Sequence, residues 1–426
     1  MKIIADLQIH SRFSRATSNA ITLTNLEKYA RLKGLNLLGT GDFTHPKWLQ
    51  ELKNELTEDG SGILTSKSGF KFVLQGEISN IYTQDGKGRR IHTLLLARNF
   101  DVVEQINNAL LKKGRLDYDG RPIFGFSCIE LVEMMKSIDQ DIEIIPAHAW
   151  TPWFGLFGSM SGFDSVEECF KGQAKHIHAI ETGLSSDPAM NWRISALDKY
   201  TLVSSSDAHS FWPWRLGREC NIFDMKLCYD DLLNAIIKRK GFTETIEFWP
   251  HEGKYHYTGH RDCNVCLSPK ESIKLNNMCP VCKKPLTVGV AQRVEDLADR
   301  PEGFIPKNAV PFRNLIPLSE VIAGTIHEKV ESRQVWAEYT KLTSAFGNEF
   351  EVLLNKEESE LKRITGEAIA QNIIRNRFQK IPFRPGYDGV YGIPVFDDSS
   401  KQLHENPKEK IKSKMQSKQK GLGEFI

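Results

Sequence analysis

Apolar side chains in the first 210 residues fall into short runs, each separated from the next by a polar-rich or helix-length stretch. The runs lie at residues 3–7, 35–39, 72–74, 93–97, 144–147, 177–180 and 202–204. Runs this short predict strands, and the longer intervals predict helices wrapped outside a parallel sheet. Each run carries a metal-type side chain at or beside one end. In chain order these are His10, Asp42 with His45, Glu77, His92, His148, Glu181, and Asp207 with His209. In α/β barrels active sites gather where strands end, so these groups are expected to converge on one mouth. His92 instead opens its run, and a return hairpin through Asp85-Gly86-Lys87-Gly88 would set it beside Glu77. Strand alternation would send Asp207 and His209 to one face.

Taken singly, a histidine near a strand end is more often a surface or satisfied core residue. Recurrence changes that weighting, because the chain has only 12 histidines in 426 residues. Mixed imidazole and carboxylate ligation suits zinc, manganese or iron better than calcium. Glu77 can bridge two ions, which would share a water, lower its pKa and clamp the oxygens of an in-line displacement. Ser204, Ser205 and Ser206 read as strand-end residues bonding the backbone, so no side-chain nucleophile is expected.

The second half changes character. Apolar residues at helical spacing, such as Ile364, Ala368, Ile369 and Ile373, predict helices over 328–354 and 357–377, with 316–326 opening the unit. The strip 382–396, rich in Gly, Pro and Tyr, reads as a loop or short irregular strands. Cys263-x-x-Cys266 and Cys279-x-x-Cys282 form a four-thiolate set suited to one tetrahedral structural zinc. Two disulfides are the alternative, but no signal peptide or membrane-length apolar run is evident, so a reducing cytoplasmic location is expected. Cys128, Cys169, Cys220 and Cys228 read as buried thiols. Basic and aromatic residues around the cysteines resemble nucleic-acid binders. Formal net charge is only +2, so binding to DNA must use local patches.

Several motifs resemble the PHP (polymerase and histidinol phosphatase) phosphoesterase family. They are Ala5-Asp6-Leu7-Gln8-Ile9-His10-Ser11, Thr40-Gly41-Asp42-Phe43-Thr44-His45, Gly76-Glu77-Ile78, Arg90-Ile91-His92, Pro146-Ala147-His148 and Ser205-Ser206-Asp207-Ala208-His209. The resemblance implies a distorted seven-stranded PHP barrel holding two or three divalent ions (zinc, manganese or magnesium). It implies ligands at Gln8, His10, Asp42, His45, Glu77, His92, His148, Asp207 and His209, with Glu77, Asp207 and His209 as catalytic residues. Glu181 stays open. The family's opening His-x-His is here Gln8-Ile9-His10, and the early ligand that follows has no counterpart in Arg12-Phe13-Ser14-Arg15.

Residues 402–418 are Lys- and Gln-rich, and the chain then reads Gln419-Lys420-Gly421-Leu422-Gly423-Glu424-Phe425-Ile426. Gln419, Leu422 and Phe425 resemble the PCNA-interacting peptide, which presses one helical turn into a sliding clamp. The expected domains are therefore 1–245 (barrel), 246–290 (zinc module), 291–398 (mainly helical) and 399–426 (tail with clamp peptide). Together they resemble the endonuclease Q family of mainly archaeal DNA-repair nucleases. That resemblance implies a monomeric, intracellular endodeoxyribonuclease, nucleoid-associated when on DNA. It would cut 5′ of deaminated bases (hypoxanthine, uracil, xanthine) and abasic sites, using a metal-bridged hydroxide. Trp150, Trp153, Trp212, Trp214 and Arg215 follow the motif histidines and are candidate DNA or base contacts, with core packing as the even alternative. Two other classes remain: a small-molecule PHP phosphatase, and a non-catalytic PHP scaffold. Activity on a simple aryl phosphate alone would mark the first, and a single zinc per chain the second.

Overall fold

The apolar runs become strands, and the computed structural model, which describes residues 1–396, shows how they associate. The seven motif-bearing strands are β1 (Lys2–Asp6), β2 (Leu37–Gly39), β3 (Lys71–Gln84), β4 (Lys87–Ala97), β5 (Glu143–Pro146), β6 (Ala179–Glu181) and β7 (Thr201–Val203). Three more follow: β8 (Cys220–Asp224), β9 (Phe242–Glu247) and β10 (Phe312–Asn314). Pairing is parallel for β1–β2, β2–β3 and β9–β10, but antiparallel for β3–β4, β4–β5, β1–β8 and β8–β9.

Hydrogen bonding thus joins eight of these strands, with the short strands Leu56–Thr57, Leu64–Ser66 and Ile123–Phe124, into one mixed sheet rather than seven parallel strands, and leaves β6–β7 as a separate parallel pair. The reversal is local chemistry. Asp85 (φ 53°) and Gly86 (φ 73°) take the left-handed conformations of a two-residue hairpin turn, which sends β4 back along β3. Backbone contacts at both strand ends help bring the β6–β7 pair against the sheet. Ala149 N–H donates to the Glu181 carbonyl at 3.0 Å, and Ile9 bridges Ala208 in parallel.

Helices cover the sheet where their caps and apolar faces dictate. Thr22, Asn99 and Ser127 each accept a backbone N–H at the start of Leu23–Lys33, Phe100–Leu111 and Cys128–Ile138. Their inward faces (Leu26, Ala30, Ile106, Leu110, Leu131, Met135) are fully buried, roughly 1.5–3 kcal/mol for each large aliphatic group. Cys128, Cys169 and Cys220 are buried free thiols and Cys228 is half-buried.

Beyond β9 the chain forms a small ribbon, Thr258–His260 paired with Val265–Leu267, followed by the helix Pro269–Lys274. The helical unit comprises Leu318–Ile326, Arg333–Phe346, the π-turn Glu351–Asn355, Glu358–Thr365 and Glu367–Arg377, around its own apolar core. Phe383–Arg384 pairs with Ile393–Pro394, closing the Gly/Pro/Tyr strip. This unit locks onto the first through a buried ion pair, Lys33 Nζ to Glu349 Oε1 at 2.7 Å. Glu349 also accepts the Leu318 N–H (2.9 Å) and the Tyr339 hydroxyl (2.9 Å), so every buried polar partner is used. Among the described residues, no helix is long and apolar enough to cross a membrane. Gln419, Leu422 and Phe425 lie outside the described residues.

Candidate metal centre

Strand ends deliver two groups of ligands. His10, just past β1, meets Asp207 and His209 beyond β7, with one donor atom from each inside 4.8 Å of the others. Glu77 within β3, His92 within β4 and His148 after β5 form the second group by the same measure. The hairpin register places Ser79 opposite His92, so Glu77 is its diagonal neighbour on the same face. His92 Nδ1 lies 2.8 Å from Glu77 Oε1.

Glu77 joins the two groups. Its Oε1 faces His92 and His148 (Nε2 at 3.3 Å), while its Oε2 faces His10 Nε2 at 3.0 Å and the Gln8 amide N–H at 3.1 Å. His10 Nε2 is also 2.9 Å from Asp207 Oδ1. A fully buried carboxylate with each oxygen turned to a different imidazole group has the geometry to serve both groups. The donor set fits divalent ions: three carboxylate or amide groups and four imidazoles, with Gln8 Oε1 buried and lacking any hydrogen-bond partner.

Electrostatics agree with that assignment. Burial disfavours the charged form of Glu77, yet Arg121 and the surrounding His92, His10 and His148 outweigh it and hold the carboxyl well below its ordinary range. Burial drives His92 down to about 4, against the pull of Glu77, and keeps the ring neutral as ligation requires. Asp42 (φ 40°), His148 (φ 32°) and Asp207 (φ 48°) all sit in the left-handed region, rare for residues with a Cβ and commonest at functional sites. Asp207 and His209 therefore meet through a strained turn, not through strand alternation.

Other expected ligands stand differently. Asp42 Oδ1 lies 2.9 Å from His10 Nδ1 and Oδ2 accepts the Ser11 N–H at 2.6 Å, so it orients His10 from behind. His45 precedes the helix Pro46–Glu55, stacks on Phe13 at 4.3 Å, and belongs to neither group. Glu181 accepts the His148 N–H at 2.7 Å; its other oxygen has no partner, and burial pushes its pKa up to about 8.

The aromatic candidates divide. Trp153 and Arg215 line a cleft of about 910 Å³ that also contains Asp207 and His209. Trp150 is core instead: its ring is 4.8 Å from Phe157 and its indole N–H donates to Asn191. Trp212 and Trp214 stack at 5.1 Å and pack on Trp336 of the helical unit. Pro213, between them, gives its carbonyl to buried Lys33.

The second metal-type cluster also departs from the four-cysteine expectation. Cys263, Cys279 and Cys282 gather with His260, not with Cys266. In the ribbon His260 pairs with Val265, so Cys266 falls on the opposite face, where its Sγ lies 4.0 Å from the Pro385 carbonyl.

Comparison with known proteins fits this arrangement. The crystal structure of the lesion-specific endonuclease PfuEndoQ from Pyrococcus furiosus superposes with a TM-score of 0.84 at 31% identity, covering 95% of this chain and 100% of that one. The chain belongs to the endonuclease Q family of enzymes. A crystal structure of endonuclease Q with a 27-mer duplex carrying an abasic lesion at its active site matches at TM-score 0.83 and 31% identity, over 94% of this chain and 98% of that one. The uncharacterised protein MJ0043 of Methanocaldococcus jannaschii is 34% identical over 253 residues, 58% of this chain but only 31% of that protein's length. A family model described as the MJ0043 C-terminal domain matches residues 317–380, the helical unit.

One residue of this candidate site carried no sequence signal. Arg121 Nη1 lies 3.4 Å from both Glu77 oxygens, although it follows no predicted strand. Gly120 lets its loop approach so closely: a Cβ there would stand 2.3 Å from Asp42 Oδ2 and Ser14 Oγ. Only the run Asp119-Gly120-Arg121-Pro122, a turn beside a cation, could have drawn attention to it.

Proposed function

We propose that this chain is a metal-dependent DNA-repair endonuclease that hydrolyses the phosphodiester 5′ of a deaminated base or an abasic site, leaving a 3′-hydroxyl and a 5′-phosphate. The observation that carries this is Glu77, whose two oxygens face two separate imidazole groups. Family membership adds the substrate class, since a relative has been captured on duplex DNA with an abasic lesion at its active site. In this reading β1–β7 form a distorted seven-stranded barrel, with the β6–β7 pair as its loosest part.

Divalent ions held here would lower the pKa of a shared water and neutralise charge on the phosphate. His10, Asp207 and His209 would hold one ion and His92 and His148 another, with Glu77 available to both. Gln8 offers a neutral oxygen where a histidine would be stronger, and Asp42 fixes the His10 ring. Arg121 supplies a fixed positive charge beside Glu77, suited to a non-bridging phosphate oxygen. The tail peptide Gln419, Leu422 and Phe425 supports tethering to a PCNA-type sliding clamp inside the cell. On that basis Phe425→Ala should abolish stimulation by the clamp while basal cleavage persists.

The direct test is an end-labelled duplex with one deoxyinosine, incubated with manganese or magnesium. The expected result is a single nick 5′ of the inosine, lost in Asp207→Ala. Absence of a nick at inosine, uracil and an abasic site alike would overturn the reading.

A further inference from the structure

Asp6 closes β1 within the motif Ala5-Asp6-Leu7-Gln8-Ile9-His10-Ser11, yet it stands in neither ligand group. Its side chain is fully buried, and both oxygens are taken by protein donors. Oδ1 accepts the Ser206 N–H at 3.0 Å. Oδ2 accepts the Ser206 hydroxyl at 2.5 Å and the Gly217 N–H at 2.9 Å. A carboxylate filled in this way has little left to offer an ion, and its grip falls on Ser206.

Ser206 immediately precedes Asp207. Arg218 closes its other side, with Nε and Nη2 at 3.4 and 3.3 Å from the Ser206 carbonyl oxygen, so all three polar atoms of the serine are bonded. Past Asp207, the Ala208 carbonyl accepts the His10 N–H at 3.0 Å. The chain is thus held on both sides of Asp207 by one segment, by Asp6 before it and by His10 after it. Between these anchors Asp207 sits at φ 48°, with its Oδ1 2.9 Å from His10 Nε2. Left-handed conformations of residues with a Cβ persist only where their surroundings enforce them. Glu181 offers a contrast: it accepts the N–H of the strained His148 at 2.7 Å, but its other oxygen is without a partner and free to ligate. Asp6 has no free oxygen and acts through Ser206 alone.

We infer that Asp6 is a positioning residue: by gripping Ser206 it fixes the strained Asp207 turn and sets the geometry of the ion position formed by His10, Asp207 and His209. The position served by His92 and His148 draws on other strands, so the two respond differently to loss of Asp6. Groups that orient a metal ligand from behind change metal affinity by about 10–100-fold when replaced. Asparagine at position 6 keeps the size of the side chain but turns one acceptor into an NH2 donor, which faces an N–H or hydroxyl donor of Ser206 or Gly217. The inference rests on the metal-centre reading above. Ion binding is measured without DNA, which separates its failure from that of the nuclease reading.

The experiment titrates Mn2+ alone into the metal-stripped full chain, following heat and the paramagnetic resonance spectrum of the ion. Asp207→Ala and His92→Ala supply the reference patterns for loss of either position. Asp6→Asn should weaken one position about tenfold or more, in the pattern of Asp207→Ala, and leave the other within about twofold. On an abasic duplex it should lower kcat and hold KM within about twofold of wild type. Unchanged Mn2+ affinities, equal weakening of both positions, or the His92→Ala pattern would each overturn the proposal, as would a raised KM with kcat intact. Should Asp6→Asn misfold, Ser206→Ala decides, since it removes only the hydroxyl bond to Oδ2. The same selective weakening there supports the proposal, and unchanged or unselective binding overturns it. Wild-type protein that binds both ions but nicks no lesion would remove the nuclease reading and leave this inference standing. Wild-type protein that binds no Mn2+ would remove the metal centre and this inference with it.

Discussion

Glu247 shows how single residues here combine satisfied geometry with an electrostatic cost. Its oxygens accept the hydroxyls of Thr245 (2.5 Å), Thr182 (2.8 Å) and Ser204 (3.1 Å), tying β9 to the ends of β6 and β7. Burial nonetheless pushes its pKa from an ordinary 4.5 up to about 8. Between those values the folded protein holds a proton that the unfolded chain has released. Stability contributed by this group is therefore highest below pH 4.5 and falls as pH rises to about 8. Glu247→Gln should flatten that decline, which thermal unfolding across pH 5–8 would register as a smaller difference in Tm between the two ends. At the same scale the metal-type residues were legible because each stands beside an apolar run. Arg121 was not, since its place beside Glu77 depends on Gly120 passing within contact of Asp42, and close approach leaves no trace in composition.

Elements obey rules that the sequence states only in part. The Asp85-Gly86 turn was readable and fixes the β3–β4 hairpin, which in turn places His92 diagonally from Glu77. Strand direction elsewhere was not readable, because a short apolar run looks the same in a parallel and an antiparallel partner. The cysteine ribbon makes the same point with a measurable consequence. Spacing alone pairs Cys266 with the other three thiols, whereas ribbon register puts His260 in its place. His260→Ala or Cys282→Ser should each cost one zinc per chain by elemental analysis and lower the Tm. Cys266→Ser should leave the zinc count unchanged, and a lost zinc there would restore the four-cysteine set.

At the scale of the whole molecule, the helical unit is held to the sheet by a small number of buried contacts far apart in sequence. Lys33 and Glu349 are both essentially inaccessible, and their partners, Pro213, Leu318 and Tyr339, come from three further segments. Removing one charge of such a pair strands the other, at about 3–5 kcal/mol. Glu349→Ala should therefore lower stability by roughly that amount, while the double change Lys33→Met with Glu349→Leu should recover much of it; chemical denaturation of the three proteins would show this order. The Trp212–Trp214–Trp336 cluster belongs to the same junction, so two aromatics expected at base contacts pack against the helical unit.

The sequence by itself determined the strand cadence, the hairpin and the side-chain types of most candidate ligands, because those follow from local periodicity and residue chemistry. Tertiary structure decided which ligands share a group, which aromatics face the cleft, and which fourth donor joins the thiols. Each of those is a distance between segments many residues apart, and such distances are set by packing of the whole chain rather than by any stretch of it.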